Sequence, residues 1–354
     1  MKKNFTVVLA ALTSLLARCP VTVGADMAGP DPATGLQSGV VFSGMTALSQ
    51  NAELARRLWS PLKAAQMQRE LARAGKVLGE QPVTLSEEHF TVYVPPARPA
   101  NGYGLLVYIP ASDNSRLPSG WASVLDKYGV IFISADRSGN AENVYDRRIP
   151  LALNAATSIL ARYAVDAKRV YVGGTSGGSR VAMRAALAYP DLFHGAMLNA
   201  GSDEIGNDFI PLPPKDLLYR FQESTALVYM TGDADSVNLD KDSASRGAMR
   251  NWCQFNLDSE TMFRTGHSVA NAGALSRVLE LLAAPPVPDG KKLDACRADI
   301  EKDLDAQMAQ AQALQAAGKR EDAKTLLEKI DRRFGGLAAP RSLALDDALA
   351  GPIK

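Results

Sequence analysis

A serine flanked by glycines is the strongest chemical signal in this sequence. Residues 173–178 read Gly-Gly-Thr-Ser-Gly-Gly and contain the G-x-S-x-G pattern, with Ser176 at its centre. An apolar run that ends at Val172 precedes the pattern and a helical stretch follows it, so the chain must turn sharply at the serine. Glycines leave room for such a turn, which holds the hydroxyl in an exposed position. The motif therefore predicts a serine nucleophile.

A serine nucleophile needs a general base, because its hydroxyl is almost wholly protonated near neutral pH. The chain has three histidines. His267 follows a strand candidate at 261–263 and precedes a helix, which predicts a loop at the carboxyl edge of a sheet, where Ser176 would also lie. His89 and His194 stand at the beginnings of predicted strands, and we expect both to be structural. His267 is the predicted base.

The imidazole in turn needs a carboxylate to set its tautomer and stabilise the imidazolium. Two aspartates, Asp233 and Asp235, lie in the loop after a strand predicted at 226–230. Asp233 directly follows the glycine of the turn, whereas Asp235 is far enough into the loop to reach back toward His267. We favour Asp235 as the acid and expect Asp233 to cap or brace the loop.

Ester hydrolysis passes through a tetrahedral oxyanion, which is best stabilised by two preset N–H donors. Gly177 is the first candidate, because it directly follows the nucleophile and begins a helix. The second donor is expected from the loop after a strand at 105–109, at Ala111 or Ser112, and the sequence leaves the choice between them open.

Strand and helix patterns alternate through the middle of the chain. Apolar runs predict strands at 90–94, 105–109, 130–133, 169–173, 196–200 and 226–230, and helical patterns lie at 150–163 and 180–189. Strands that alternate with helices predict a parallel, doubly wound sheet and hence an α/β fold.

Helical extensions are expected on both sides of this region. Residues 26–48 are rich in Gly, Pro, Ser and Ala, which indicates a loosely held leader, and Ser60 precedes a helical pattern as its N-cap. After residue 286, two apolar stripes predict a helical hairpin. The hairpin resembles one tetratricopeptide-type unit, but no second copy follows, so we expect it to dock on the catalytic domain rather than form a partner-binding solenoid.

The first 25 residues have the pattern of a secretory signal peptide. Two lysines precede a short apolar run, and small residues at 23–25 offer a cleavage site. The run is too short for a transmembrane anchor. A lipid anchor at Cys19 is an alternative, but Arg18 stands where such signals need a small residue. We therefore predict a secreted or periplasmic protein.

The predicted organisation has four parts: a signal peptide at 1–25, a leader and helical segment at 26–84, a catalytic domain at 85–285 and a helical hairpin at 286–354. Removal of the signal peptide would leave Cys253 and Cys296. Disulfides persist in oxidising compartments, so we predict that these two pair, with two buried thiols as the alternative.

Composition and charge limit the classes of partner that the protein could bind. Hydrophobic residues make up 46% of the 354 residues and charged residues 22%, which is enough for a large core. A formal net charge of +1, without a block rich in Lys and Arg, provides no field that would attract a phosphate backbone. A nucleic-acid partner is not expected.

Residues 165–180 and the Tyr-Pro-Asp-Leu-Phe segment at 189–193 are the basis of a family resemblance. They resemble the nucleophile region of secreted polyhydroxybutyrate-depolymerase-like and feruloyl-esterase-like hydrolases. The resemblance covers residues 85–285 and implies an α/β-hydrolase fold, a Ser–Asp–His triad in that chain order, and no cofactor or metal. The implied activity is hydrolysis of a small-molecule or oligomeric carboxylic ester. Many members have His-Gly after the oxyanion strand, where this chain has Pro110-Ala111-Ser112.

Candidate substrate contacts lie beside the nucleophile and in the short segment after residue 201. Thr175 precedes the nucleophile directly. Phe209, Ile210 and Leu212 could line an acyl or aromatic pocket, or pack locally against the sheet edge. The segment is too short for a cap domain, so we expect an open cleft.

Two other functions compete with esterase activity. A prolyl-oligopeptidase-like serine peptidase has the same elbow and the same triad order, but such enzymes usually carry a large gating domain that this length cannot hold. A non-catalytic hydrolase-fold scaffold would instead bind a partner through its helical segments. The complete set of triad candidates argues against the scaffold.

Overall fold

The computed structural model describes residues 33–285 and 288–350. The predicted signal peptide at 1–25 and Cys19 lie outside the described residues.

An eight-stranded sheet forms the centre of the molecule. Its strands are β1 (Gly35–Val40), β2 (Phe90–Val94), β3 (Tyr103–Ile109), β4 (Val130–Ala135), β5 (Val165–Thr175), β6 (Gly195–Asn199), β7 (Ala226–Gly232) and β8 (Leu257–Met262). Their order across the sheet is β1-β2-β4-β3-β5-β6-β7-β8. The β1–β2 and β2–β4 pairs are antiparallel, and all pairs from β4 to β8 are parallel. The predicted doubly wound, mostly parallel sheet is confirmed.

Helices cover both faces of the sheet. They are α1 (Asn51–Leu58), α2 (Pro61–Arg73), α3 (Trp121–Tyr128), α4 (Ile149–Arg162), α5 (Gly177–Ala188), α6 (Lys215–Ser224), α7 (Ser236–Asn251), α8 (Ala272–Ala283), α9 (Gly290–Ala316), α10 (Arg320–Phe334) and α11 (Arg341–Ala350). No helix among the described residues combines the length and the apolar character that a membrane crossing requires.

Alternate residues of the central strands supply the two sides of the core. On β3, Leu105 and Val107 pack with α4 and α5, whereas Leu106 and Tyr108 pack with α3 and α8. Both sets are buried, because a parallel strand between two helical layers has no solvent-facing side. This double burial explains why the central strands are continuous apolar runs in the sequence.

The segment expected as a loosely held leader contains an edge strand. β1 pairs antiparallel with β2, with Gly35 opposite Val94 and Val40 opposite Phe90. The expectation of a loose leader was therefore wrong for these residues. The strand is irregular, since its register shifts between Gln37 and Val40, and its glycines and serine interrupt the apolar alternation by which a strand is recognised.

The N-terminal helices are tied to the rest of the fold by buried polar contacts. The Arg57 guanidinium is 5% exposed and donates to Asp191 at 2.6 and 2.9 Å and to Glu53 at 2.6 Å. It also lies 4.6 Å from the ring centre of Tyr189, just after α5. These contacts join α1 to the end of the helix that begins at the nucleophile.

Three helices form the C-terminal tail. α9 and α10 are joined by a turn at 317–319 with Gly318 in the left-handed region, and α11 follows them. Leu304, Leu327 and Phe334 belong to the same hydrophobic core as the strands. The tail therefore completes the core instead of standing apart from it.

A disulfide fastens the tail to the sheet domain. Cys253, just after α7, is bonded to Cys296 on α9, with the two Cα atoms 5.8 Å apart. The predicted pairing of these cysteines is confirmed.

Candidate active site

Ser176 occupies a strained turn between β5 and α5. Its φ and ψ are 57° and −122°, a conformation that only glycine adopts freely. A side chain at Gly178 would bring a Cβ within 2.0 Å of the Ile109 carbonyl oxygen, so this position accepts only glycine. The close packing of the turn against β3 keeps the half-buried serine at the carboxyl edge of the sheet.

Asp235 and His267 form a hydrogen-bonded pair at the same edge. His267 Nδ1 donates to Asp235 Oδ2 at 2.7 Å, which leaves Nε2 as the ring nitrogen that is free to accept a proton. The Asp235 side chain is 8% exposed and that of His267 is 48% exposed. The carboxylate is thus enclosed, while the imidazole faces the solvent from which a substrate would arrive.

Asn238 holds the Asp235 carboxylate in place. Its amide Nδ2 donates to both carboxylate oxygens, at 2.9 and 2.8 Å, and lies 3.1 Å from His267 Nδ1. Burial alone would raise the pKa of Asp235, but the hydrogen bonds from His267 and Asn238 outweigh it, so that pKa is lowered. The carboxylate therefore stays ionised, as a partner for an imidazolium must.

Asp233 contacts the histidine loop at a different point. Its two carboxylate oxygens accept from the backbone N–H groups of Arg264 and Thr265, at 2.9 and 3.0 Å. The same hydrogen bonds lower its pKa. Of the two aspartates, the structure places Asp235 beside the imidazole, whereas Asp233 contacts the start of the loop that carries His267.

Asn199, at the end of β6, connects the serine turn to the histidine loop. It is fully buried, and its carbonyl oxygen accepts from Ser176 N at 2.8 Å. Its side-chain Oδ1 accepts from Ala270 N at 2.8 Å, and its Nδ2 donates to the Ser268 carbonyl at 3.2 Å. One residue thus fixes the backbone on both sides of the candidate site.

Two loops close the site beside the serine turn. The loop after β3 begins at Pro110, and Ala111 accepts a hydrogen bond through its carbonyl from Asn140 N at 3.0 Å, in the loop after β4. Ser112 is exposed. Gly177 lies at the first position of α5, where a helix leaves its N–H groups without intrahelical partners.

The candidate substrate contacts fall into two groups. Thr175 is 5% exposed, and its hydroxyl is already engaged by the Tyr108 hydroxyl at 2.6 Å and by Asn199 Oδ1 at 2.8 Å. Ile210 and Leu212 are 3% and 1% exposed and pack in the core, so the structure favours local packing for these two. Phe209 is 80% exposed on its loop.

The sheet order and the strained serine between β5 and α5 decide the fold. Asp235 and His267, the candidate acid and base, lie on the loops after β7 and β8. The chain has the α/β-hydrolase fold. No group of three or more His, Cys, Asp or Glu side chains within the described ranges is arranged to hold a metal ion.

Comparison with known proteins agrees with the resemblance seen in the sequence. The poly(3-hydroxybutyrate) depolymerase of Ralstonia pickettii is 32% identical over 98 residues, which cover 23% of this chain and 20% of that protein. The α/β-hydrolase chain thus matches about a fifth of the length of this relative. The predicted resemblance to polyhydroxybutyrate-depolymerase-like hydrolases is confirmed over that stretch. No protein-family model matches the chain.

Solved structures with a related backbone include two hydrolases. An acetyl xylan esterase from Aspergillus awamori is 16% identical with a TM-score of 0.42, covering 56% of this chain and 94% of that one. The S-formylglutathione hydrolase of Staphylococcus aureus is 13% identical with a TM-score of 0.46, covering 57% of this chain and 95% of that one.

Sequence reasoning missed the asparagines that surround the site. Asn238 carries no motif and is one polar residue among many on α7. Asn199 did offer a signal, because it is a polar residue at the carboxyl end of a buried parallel strand, where α/β folds place their ligands and functional groups.

Proposed function

We propose that this α/β-hydrolase chain is a carboxylic ester hydrolase that works through an acyl-enzyme on Ser176. His267 is the general base and Asp235 orients it. The observation that carries the proposal is the 2.7 Å hydrogen bond between Asp235 and His267 at the sheet edge that also holds the strained serine. A buried, ionised carboxylate on Nδ1 fixes the tautomer whose Nε2 can accept a proton.

The first half of the reaction forms the acyl-enzyme. Ser176 Oγ bonds to the ester carbonyl carbon while His267 Nε2 takes the hydroxyl proton, and the carbonyl electron pair moves onto oxygen. The resulting oxyanion lies against the N–H of Gly177 and a backbone amide at Ala111 or Ser112. When the carbonyl re-forms, the bond to the alcohol breaks and the imidazolium gives its proton to the leaving oxygen.

The second half releases the acid. A water molecule attacks the acyl carbon while His267 again takes a proton, and a second oxyanion forms in the same place. Its collapse breaks the bond to Ser176 Oγ, which recovers its proton from the imidazolium. The net reaction is ester plus water to acid plus alcohol, and no cofactor enters the balance.

The substrate in this proposal is a small-molecule or oligomeric ester. The half-exposed His267 and the absence of a cap domain between β6 and β7 suit an open cleft. Phe209 stays a candidate contact for an acyl or aromatic group by its exposure alone, because its ring borders a pocket with Leu58, Trp59 and Tyr145. A nucleic-acid partner has no place in this scheme.

The proposed location is secreted or periplasmic. The disulfide between Cys253 and Cys296 belongs to a compartment in which thiols oxidise. The proposed organisation has a signal peptide at 1–25, a segment at 26–84 that supplies β1 and then helices, a catalytic domain at 85–285 and a helical segment at 286–354.

Active-site labelling tests the proposal directly. The wild-type protein should react with a fluorophosphonate probe and hydrolyse p-nitrophenyl esters, and Ser176→Ala should abolish both. Ser123→Ala, at an exposed serine on α3, is the matched control and should behave as wild type. Loss of the nucleophile removes the covalent step, so turnover should fall by several orders of magnitude.

Two results would favour the competing functions. Cleavage of aminoacyl anilides without cleavage of p-nitrophenyl esters would identify a peptidase, which uses the same triad order. A wild-type protein that neither labels nor turns over any substrate would identify a non-catalytic scaffold.

A further inference from the structure

The side chain of Asn140 lies directly over Gly177, the residue after the candidate nucleophile. A Cβ built on Gly177 would stand 2.2 Å from Asn140 Oδ1 and 3.3 Å from Asn140 Nδ2. A side chain at Gly177 would have to push the Asn140 amide aside. The amide group of Asn140 is therefore a close neighbour of the helix end at which an oxyanion would form.

The backbone fixes where this side chain stands. Asn140 N donates to the Ala111 carbonyl at 3.0 Å, so the loops after β3 and β4 are hydrogen-bonded to each other beside the serine turn. Gly139 N also donates to Asp113 Oδ1, at 3.1 Å. The two loops are thus joined by hydrogen bonds and form one side of the candidate site.

A buried arginine sets the orientation of the Asn140 amide. Arg148 is 3% exposed, and its guanidinium donates to the carbonyls of Ser138 and Pro110, each at 2.9 Å, and to Asn140 Oδ1 at 3.5 Å. A guanidinium has only donors, so the amide atom that faces it must be the oxygen. The NH₂ group of Asn140 consequently points away from Arg148.

Arg148 remains a cation at this position. Burial, with a smaller effect from Arg184, lowers its pKa to about 10, which still leaves it protonated at neutral pH. Within the described residues it has no carboxylate within ion-pair distance, and its partners are carbonyl oxygens. Asp113 and Glu142 attract this charge from beyond ion-pair distance and favour the protonated form. A positive charge is thus kept beside the loops that flank the candidate site.

Two donors remain unused next to the nucleophile. Asn140 is exposed, and its Nδ2 donates no hydrogen bond to any described residue. The N–H of Gly177 likewise has no acceptor in the described part of the chain. Donors beside the nucleophile that have no protein acceptor can donate to a negative charge that develops there.

We propose that Asn140 Nδ2 is an oxyanion donor that acts together with the N–H of Gly177, with Arg148 as the residue that orients it. The inference rests on the proposed ester hydrolysis and adds a catalytic side chain to it. When Ser176 attacks, the electron pair of the carbonyl moves onto oxygen, and Asn140 donates a hydrogen bond to that oxygen. The donor acts beside the backbone amide expected at Ala111 or Ser112.

Two substitutions at Asn140 test the proposal. Asn140→Ala removes the donor, and Asn140→Asp keeps the shape of the side chain but replaces the donor by a negative charge. With p-nitrophenyl acetate, kcat should fall about 100-fold in Asn140→Ala and further in Asn140→Asp, while KM changes little. The control is Asn101→Ala, at an exposed asparagine before the amino end of β3.

A trifluoromethyl ketone inhibitor separates catalysis from folding. It adds to the serine and forms a stable hemiketal oxyanion, so its Ki should rise with the fall in kcat in both Asn140 variants. The melting temperature of Asn140→Ala should stay close to the wild-type value, because the side chain is exposed and loses only its 3.5 Å contact with Arg148. Asn140→Asp places a carboxylate beside the Arg148 guanidinium and should melt at the wild-type temperature or above it.

The result that overturns the inference differs from the one that overturns the proposed function. If the wild type hydrolyses the ester and the Asn140 variants keep kcat and Ki within twofold of it, Asn140 is not a donor and ester hydrolysis stands. If the wild type neither hydrolyses the ester nor binds the ketone, the proposed function fails and the inference fails with it.

Discussion

At the scale of single residues, the candidate site depends on which carboxylate touches the imidazole. Asp235 reaches His267 because it lies two residues beyond Asp233, at the N-cap of α7, where its Oδ1 also accepts from Asn238 N. Asp233 instead holds the backbone at 264–265. The same loop therefore uses its two aspartates for different purposes.

Matched substitutions of the two aspartates give a prediction at this scale. Asp235→Asn should lower kcat about 10⁴-fold, because an amide can stabilise the wrong tautomer of the imidazole and cannot balance the imidazolium charge. Asp233→Asn should lower it less than tenfold, because its carboxylate contacts only backbone N–H groups. Ester hydrolysis by purified variants measures both. Equal losses would assign Asp235 no special role.

The sequence was enough to predict the candidate nucleophile and base, but not the residues that surround them. The G-x-S-x-G turn is a local pattern, and only three histidines compete for the role of base, so Ser176 and His267 could be proposed without a structure. Asn140 and Arg148 could not, because their positions follow from the meeting of two loops and a helix that are adjacent only in the folded chain.

At the scale of elements, the central strands were predictable and the edge of the sheet was not. β3 and β4 are buried on both faces, so every residue in them is under the same apolar constraint. β1 has one neighbour, a register shift and mixed burial, so its residues follow no simple period. The strands differ because the core buries both faces of β3 and β4 but only part of β1.

The ion-pair network of α1 predicts how stability changes with pH. The hydrogen bond from Arg56, with a further one from Arg57, lowers the pKa of Glu53 from 4.5 to about 2. Because the folded-state pKa is lowered, Glu53 stabilises the fold above about pH 4.5, and this contribution is lost as the pH falls toward 2.

Glu53→Gln should therefore reduce the free energy of unfolding at pH 7 by about 2 kcal/mol. The gap between variant and wild type should narrow as the pH is lowered from 4.5 toward 2. Urea denaturation across this pH range measures the gap. Glu70→Gln, at an exposed glutamate on α2, is the control and should show no such gap at any pH. If the difference in unfolding free energy between Glu53→Gln and wild type did not change with pH, the lowered pKa of Glu53 would not be its cause.

At the scale of the whole molecule, the N-terminal helix α2 contacts the C-terminal helices α10 and α11. Leu62 N on α2 donates to Asp331 Oδ1 on α10 at 3.2 Å, and Arg69 on α2 forms ion pairs with Asp346 and Asp347 on α11. The sequence predicted helices in both places but had no means of showing that they pack on each other. The periodic pattern of apolar residues predicts each helix, but it does not show which distant helix packs against it.

The disulfide gives a prediction for the molecule as a whole. It closes a loop between positions 43 residues apart and joins the tail to the sheet domain. The double variant Cys253→Ser and Cys296→Ser should lose about 2–4 kcal/mol of unfolding free energy. Calorimetry with and without a reductant measures this, and the reductant should have no effect on the double variant. Equal melting temperatures for oxidised wild type and variant would show that the bond adds no stability.

The packing of the tail into the shared core has a consequence for biosynthesis. Leu304, Leu327 and Phe334 fill a core whose other walls are built from strands made much earlier. A ribosome that has reached only the end of α8 has made every candidate triad residue, yet the chain still lacks the helices that cover part of its apolar interior. Helices α9 to α11 must therefore be translated before the nascent protein can bury that surface, and until then a chaperone has a defined hydrophobic face to hold.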